Sequence, residues 1–203
     1  MRSLFARLSG AGRFGLLAIL LGVTLSGCGV NNIPTQEEAA KAKWSQVLNQ
    51  YQRRADLIPN LVETVKGYAR QEAQVLEAVV AARARATSVQ LPPDILTNPE
   101  AFKKFQDAQT QLSGSLGRLL AISENYPDLK SNQNFLALQS QLEGTENRIS
   151  VARRDYIEAV QAYNTELKTF PGVIWASTLY KGNKPMETFT IAEETKRPPQ
   201  VKF

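Results

Sequence analysis

The chain has 203 residues, 43% of them apolar and 21% charged, which suits one ordinary globular domain with a sizeable core. It contains no histidine and a single cysteine. Those absences exclude a Ser-His-Asp set and an internal disulfide, and remove the commonest metal ligand and general base. The formal net charge is +5. Arg2, Arg7 and Arg13 lie in a segment expected to be removed, which would lower it to +2. Basic blocks with interleaved aromatics are absent, so nucleic acid is not an expected partner. Gln, Ala, Leu, Glu, Lys and Arg dominate long stretches, and strand-like runs are scarce. The fold class expected is all-α, an antiparallel bundle of long helices.

The N-terminal stretch "MRSLFARLSGAGRFGLLAILLGVTLSGC" places an apolar run, Phe14 to Leu25, behind three arginines. The run suits a signal-peptide core and is shorter than the ~20 residues of a membrane span. It ends in Leu25-Ser26-Gly27-Cys28, which resembles a bacterial lipobox. Small residues let a peptidase approach the backbone, and the Cys28 thiol accepts a diacylglycerol. Residues 1–27 are therefore expected to be a signal peptide and Cys28 the lipidation site, with the acyl chains as anchor. The competing reading is a plain signal-anchor helix with an incidental cysteine. Gly29 stands where an Asp would suggest inner-membrane retention, so the destination membrane stays open. The expected location is the periplasmic or extracytoplasmic face of a bacterial membrane, the outer membrane included.

Residues 28–34 read as a lipidated tether and residues 35–170 as the bundle. Thr35 and Glu38 fit a capping box at the first helix start. From there Trp44, Leu48, Tyr51, Ala55, Ile58, Val62, Val65, Ala69, Leu76 and Val79 keep a 3-4 rhythm that does not lose phase at Pro59. No glycine lies beside Pro59. The spacing predicts one long helix from about 36 to 86, kinked at Pro59. Asn98-Pro99-Glu100 starts a second helix, with Phe102, Phe105, Leu112, Leu116 and Leu119 as its buried stripe. Pro127 stops it. Ser131 or Asn132 caps a third helix that runs to about 168. Its stripe is Phe135, Leu138, Leu142, Thr145, Ile149, Ala152, Tyr156, Val160, Tyr163 and Leu167. Phe170-Pro171-Gly172 ends it.

The second and third helices are joined by a short loop and should be antiparallel neighbours. The first helix beyond Pro59 matches the second in length. Residues 36–58 then carry an apolar seam without an obvious partner, to be covered by the C-terminal tail, a second copy or another protein. Residues 171–203 are expected to be a non-helical tail. Within it Phe189-Thr190-Ile191 and Val201-Lys202-Phe203 alternate like short strands. The tail is either a disordered end or a strap whose Phe189, Val201 and Phe203 fill grooves.

Three segments, "RRADLIPNLVETVKGYA", "ENYPDLKSNQNFLALQSQLEGTENRI" and "ARRDYIEAVQAYNTELKTFP", are similar to the core signature of the LemA family, in the family's order. The resemblance covers roughly residues 30 to 180, and the tail resembles the family's proline-valine-phenylalanine ending. It implies a membrane-attached bacterial helical-bundle protein with no agreed biochemical activity. Family members usually carry an N-terminal membrane segment, in whose place this chain has the lipobox-like Leu25-Ser26-Gly27-Cys28. Gln71 stands where the family often has a histidine, and Ile157 where an asparagine usually follows the tyrosine. No metal or proton-transfer role is carried over to those two positions.

Several polar groups stand out as interaction or structural candidates. Arg53, Arg54, Asp56, Glu63 and Lys66 surround Pro59, and Asp56, Asn60 and Glu63 lie about one turn apart and could share a face. Either they build a polar site on the freed carbonyl of Ala55, or side chains satisfy that carbonyl and fix the kink. The cost of an unmet buried carbonyl favours the second. Tyr126, Pro127 and Asp128, with Glu124 and Lys130, read as a helix stop and turn. Arg148, Arg153 and Arg154 with Glu143, Glu146 and Glu158 form a charged face on the third helix. Such a face is either solvated or a contact surface for a partner or anionic lipid. Tyr156 and Tyr163 belong to the core stripe, and Asn164, Phe170 and Pro171 complete the third signature segment. Gly114 and Gly117 sit in helix pattern, and no phosphate-binding loop or metal-ligand spacing is present.

No catalytic residue, metal or cofactor is expected. The function expected is that of a non-enzymatic interaction or scaffold protein of the cell envelope. Its partners would be the membrane, through the N-terminal lipid, and an unknown envelope protein or a second copy through residues 36–58. The alternatives are a cell-wall glycan hydrolase using Glu124 and Asp128, and a direct lipid-binding protein.

Overall fold

The structure, a computed structural model, describes residues 29–190. The signal-peptide and Cys28 readings, and the groove-filling roles of Val201 and Phe203, lie outside the described residues. Within them the chain forms six α-helices joined by turns and 3-10 segments, with no strand. It is an all-α antiparallel bundle.

Helix α1 spans Asn32–Tyr68 and runs through Pro59. It starts ahead of Thr35, with Asn31 at the cap position and no side-chain cap. Glu38 pairs with Lys41 at 2.8 Å, so the capping box does not form. Pro59 has no N–H to offer the carbonyl of Ala55. Arg83 Nε donates to that carbonyl instead, at 2.8 Å. The freed acceptor is thus met by an arginine, from a different helix than expected.

The single helix expected to reach residue 86 does not form. The chain leaves helical geometry at Ala69 (φ −126°, ψ 55°), makes a 3-10 turn over Arg70–Glu72 and reverses. Helix α2, Ala73–Ser88, runs back along α1. Arg83 meets a residue 28 positions earlier, a separation of about 42 Å in one continuous helix. Gly67, at the end of α1, weakens the helix there by about 1 kcal/mol relative to alanine. Folding back lets Leu76, Val79, Ala82 and Ala86 bury with Leu61, Val62 and Val65. A straight continuation would leave them in water.

Helix α3, Pro99–Ile122, begins as expected, with Asn98 Oδ1 accepting from the Ala101 N–H at 3.1 Å. A short α4, Pro127–Lys130, follows the proline stop. Helix α5, Gln133–Glu166, is capped by Asn132, whose Oδ1 accepts from the Phe135 N–H at 3.0 Å. Helix α6, Gly172–Thr178, lies inside the segment expected to be non-helical. Its start depends on glycine. A Cβ at Gly172 would come within 2.2 Å of the Glu166 carbonyl oxygen. The tight approach lets Trp175 and Ala176 pack on the core.

The seam at residues 36–58 is covered by its own chain. Helix α5 has 34 residues and α1 has 37, so α5 can follow α1 along nearly its whole length. Ala40, Trp44, Val47 and Tyr51 bury against Ile149, Ala152, Tyr156 and Val160 and against Phe102 and Phe105 of α3. Trp44 centres an aromatic box, 5.6 Å from Phe102, 5.2 Å from Phe105, 5.4 Å from Tyr156 and 6.0 Å from Phe189. The apolar seam expected to serve a partner or a second copy is therefore not open. A second cluster, with Ile58, Leu61, Val65, Leu112, Leu119, Phe135 and Leu142, fills the other half.

Truncating the box centre tests this packing. Trp44→Ala should cost about 3–5 kcal/mol, read as a lowered urea midpoint with an unchanged slope. A loss below about 1 kcal/mol would mean the box is not packed as described.

Candidate functional site

Arg54 lies between the two apolar clusters and is 1% exposed. Its Nη1 donates to Ser113 Oγ at 2.7 Å and to Glu146 Oε1 at 2.9 Å. Its Nη2 donates to Gln109 Oε1 at 2.6 Å and to the Gln109 carbonyl at 3.3 Å. The guanidinium carbon is 5.0 Å from the centroid of the Tyr51 ring, close enough for a cation–π contact. Only Nε is buried without a partner. Gln109 Nε2 in turn reaches the Ala86 carbonyl at 3.4 Å. One cation so ties α1 to α3 and α5, and Gln109 brings in α2.

The other polar residues around Pro59 do not converge with Arg54. Arg53, Asp56, Asn60 and Glu63 are exposed. Asp56 accepts from Gln52 at 2.8 Å, and Glu63 stands 3.7 Å from Lys66. Sequence reasoning grouped these with Arg54 and Lys66 and missed Gln109 and Ser113. The available signal was a polar residue in an apolar stripe: Gln109 falls between Phe105 and Leu112 on the buried face of α3.

A second constellation holds the C-terminal segment. Asn164 clamps the Met186 backbone, its Nδ2 donating to the carbonyl at 2.9 Å and its Oδ1 accepting from the N–H at 2.8 Å. Tyr156 donates to the Glu187 carbonyl at 2.8 Å, and the Glu187 N–H to the Leu96 carbonyl at 2.7 Å. Asn183 bonds Glu37 at 2.7 Å and the Tyr163 hydroxyl at 3.1 Å. Phe189 completes the aromatic box, with the Arg153 guanidinium 4.4 Å from its ring centroid. The strap reading holds for Phe189. Arg153 leaves the charged face to cover the strap, while Arg154 stays at the surface, 3.9 Å from Glu158.

The turn "ENYPDLK" is held by its own pairings. Glu124 pairs with Lys130, and Tyr126 donates to Glu72 Oε1 at 3.0 Å. Asp128 is exposed in the first turn of α4, behind Pro127. Asn132 Nδ2 donates to the Tyr68 hydroxyl at 2.8 Å. These bonds join the α1–α2 reversal to the α3–α5 connection at one end of the bundle. At the other end Phe170 is 79% exposed, and Pro171 lies beside Gly29. Among the described residues no cluster of acidic or cysteine side chains is placed to hold a metal ion.

An antiparallel helical bundle with a buried arginine at its waist, strapped by its own C-terminal segment, is the class of protein these elements define. The pattern of the LemA family matches residues 43–203, and the chain belongs to that family. It is similar to the magnetosome proteins MamQ 1 and MamQ 2 of Paramagnetospirillum magneticum strain AMB-1. Each is 27% identical, over 70% of this chain and 58% of the relative. MamQ of Magnetospirillum gryphiswaldense strain MSR-1 is 26% identical over the same shares. The chain thus spans 58% of the length of these relatives.

Burial raises the Tyr156 phenol well above its ordinary value, and raises Tyr51 and Tyr163 in the same direction. The folded state keeps these protons, while the unfolded chain releases them near pH ~10. Stability should therefore hold from neutral pH up to that point and fall as pH rises further. Urea midpoints between about pH 8 and about pH 11 would show the decline, and Tyr156→Phe should make it shallower. A flat wild-type profile across that range would contradict the burial of these phenols.

Proposed function

We propose that the chain is an exported lipoprotein, anchored through an acylated Cys28 to the extracytoplasmic face of a bacterial membrane. In this reading it acts as a non-enzymatic interaction or scaffold protein of the cell envelope. The apolar run ending in Leu25-Ser26-Gly27-Cys28 supports the anchor. LemA membership and kinship to the MamQ proteins support membrane association. Among the described residues no helix is long and apolar enough to cross a membrane. Attachment in this reading rests on the segment before Gly29.

The observation that carries the scaffold role is where the polar groups are used. Arg54, Tyr156 and Asn164 bond to the chain itself, and the apolar seam of residues 36–58 is covered. Work on a partner then falls to the outer surface. An open groove between α1 and α2 has a floor of Val62, Leu76, Val80 and Ala81, rimmed by Glu63, Lys66, Arg70 and Glu77. Its apolar floor and mixed-sign rim suit one amphipathic helix of another envelope protein. Val62 is 30 residues beyond the start of α1, so the groove stands about 45 Å along the bundle from its N-terminal end. The hydrolase reading loses ground, because Glu124, one of its two carboxylates, is paired with Lys130 in holding the turn.

A photo-crosslinking residue at Val80 in native membranes, with Gln46 as an exposed control, tests this function. The expected result is one discrete protein adduct from position 80 alone, abolished by Ala84→Glu in the groove. Equal adducts from both positions, or none, would remove the scaffold reading at this surface. Radiolabelled palmitate should enter the wild-type chain and not Cys28→Ser, and an unlabelled wild-type chain would remove the lipid anchor.

A further inference from the structure

The segment after α5 exposes an unusual amount of apolar surface. Within residues 170–179, Phe170 is 79% exposed, Val173 42%, Ile174 45% and Leu179 64%. The other exposed large apolar residues among those described, such as Tyr68, Val80, Leu91, Leu136 and Val151, are spread along the chain. Scattered apolar residues are ordinary, while a concentrated group marks an interaction surface. Helix α6 is held from behind, since Gly172 is buried and Trp175 and Ala176 pack on the core. Val173 and Ile174 face outward while their neighbours face inward.

Within this stretch of sequence the charge has one sign, while the nearby carboxylates of Glu166 and Glu37 are bonded to Asn32 and Asn183. Residues 167–186 contain Lys168, Lys181 and Lys184 and no Asp or Glu, and all three lysines are exposed. Exposed apolar side chains in a stretch whose only charged residues are lysines have the composition of an interfacial membrane contact.

The location is as informative as the composition. A Cβ at Gly29, the first described residue, would lie 3.3 Å from Pro171 Cγ. Asn32 Nδ2 donates to Glu166 Oε1 at 3.3 Å. The chain ahead of Gly29 comprises 28 residues, with the apolar run Phe14–Leu25 and Cys28 immediately before it. Whatever holds that segment in a bilayer delivers the bundle to the membrane at this end.

We propose that residues 170–179 dock on the lipid bilayer beside the N-terminal attachment, with Phe170, Val173, Ile174 and Leu179 in the interface and the lysines on anionic headgroups. The proposal rests on the membrane-anchor reading and adds an orientation to it. A tether of one residue between anchor and patch gives a high effective concentration, so a weak intrinsic affinity suffices. The bundle would then stand with the 170–179 end down and the α1–α2 groove raised away from the surface.

The test uses the full acylated chain in vesicles of phosphatidylethanolamine and phosphatidylglycerol. Cys28 is the sole native cysteine, so an environment-sensitive fluorophore can be placed at Ile174→Cys, with Val80→Cys as control. The expected result is that the chain floats with the vesicles and that the label at 174 is quenched several-fold less by aqueous iodide than the label at 80. Protection at 174 should weaken in pure phosphatidylcholine. Phe170→Ser with Leu179→Ser should expose the label without releasing the chain. A floating chain whose position 174 is as accessible as position 80 overturns the docking and leaves the anchor standing. Failure to float overturns both. Protection that grows with the protein-to-lipid ratio would assign the patch to a second copy, and overturns the proposal too.

Discussion

A guanidinium at the waist of a helical bundle constrains everything around it. Removing an ion from water costs several kcal/mol unless its donors are met inside. Arg54 meets that demand by drawing on Gln109 and Ser113 of α3 and Glu146 of α5. Sliding any of these helices by one turn, 5.4 Å, would strand the cation. Glu146 is 45% exposed, so water screens its contribution, and the neutral partners Gln109 and Ser113 set the geometry. The cluster therefore acts on register. It holds α1, α3 and α5 at one longitudinal setting, and the apolar groups above and below pack to suit.

The remaining devices extend that setting to the two ends. On one side Arg83 reaches the carbonyl that Pro59 leaves free, pinning α2 against α1. The proline in the middle of α1 thus supplies an acceptor that fixes a neighbouring helix. On the other side Asn164 pairs with the Met186 backbone as a strand neighbour would, and Phe189 closes the aromatic box. Interior surface and strap are spent on the fold itself. What faces outward is an apolar segment with exposed lysines beside Gly29 and an apolar groove near the opposite end. The proposed anchoring and partner binding draw on these two outward surfaces, one at each end.

Much of this was legible in the sequence where the chemistry is local. Asn98 and Asn132 cap α3 and α5 because an Asx side chain three residues before a free N–H needs no tertiary help. The reversal at residues 69–72 was hidden for a physical reason. A 3-4 rhythm reports which face is buried, and both arms of a hairpin bury the same face. Phase continuity through Leu76 and Val79 fits a straight helix and a folded one alike, and only Gly67 hinted at the break. The seam of residues 36–58 looks unpartnered in the sequence because a short connection points to α3 as the neighbour of α5, while only the matching lengths of α5 and α1 point to their pairing. Gln109 was visible as a polar residue on an apolar stripe. Its meeting with Arg54, 55 residues away, is a tertiary fact that no local pattern carries. The strap was legible as alternation at Phe189, while its anchors on Asn164, Tyr156 and Leu96 were not.

The register of the bundle depends on Arg54 and Gln109 acting as one unit. A double-mutant cycle with Arg54→Met and Gln109→Leu, read by urea unfolding, measures this directly. The account predicts a coupling of more than about 1 kcal/mol, with the double variant little worse than the poorer single one. Losses that add to within about 0.5 kcal/mol would contradict it, and the register of the bundle would have to come from apolar packing alone.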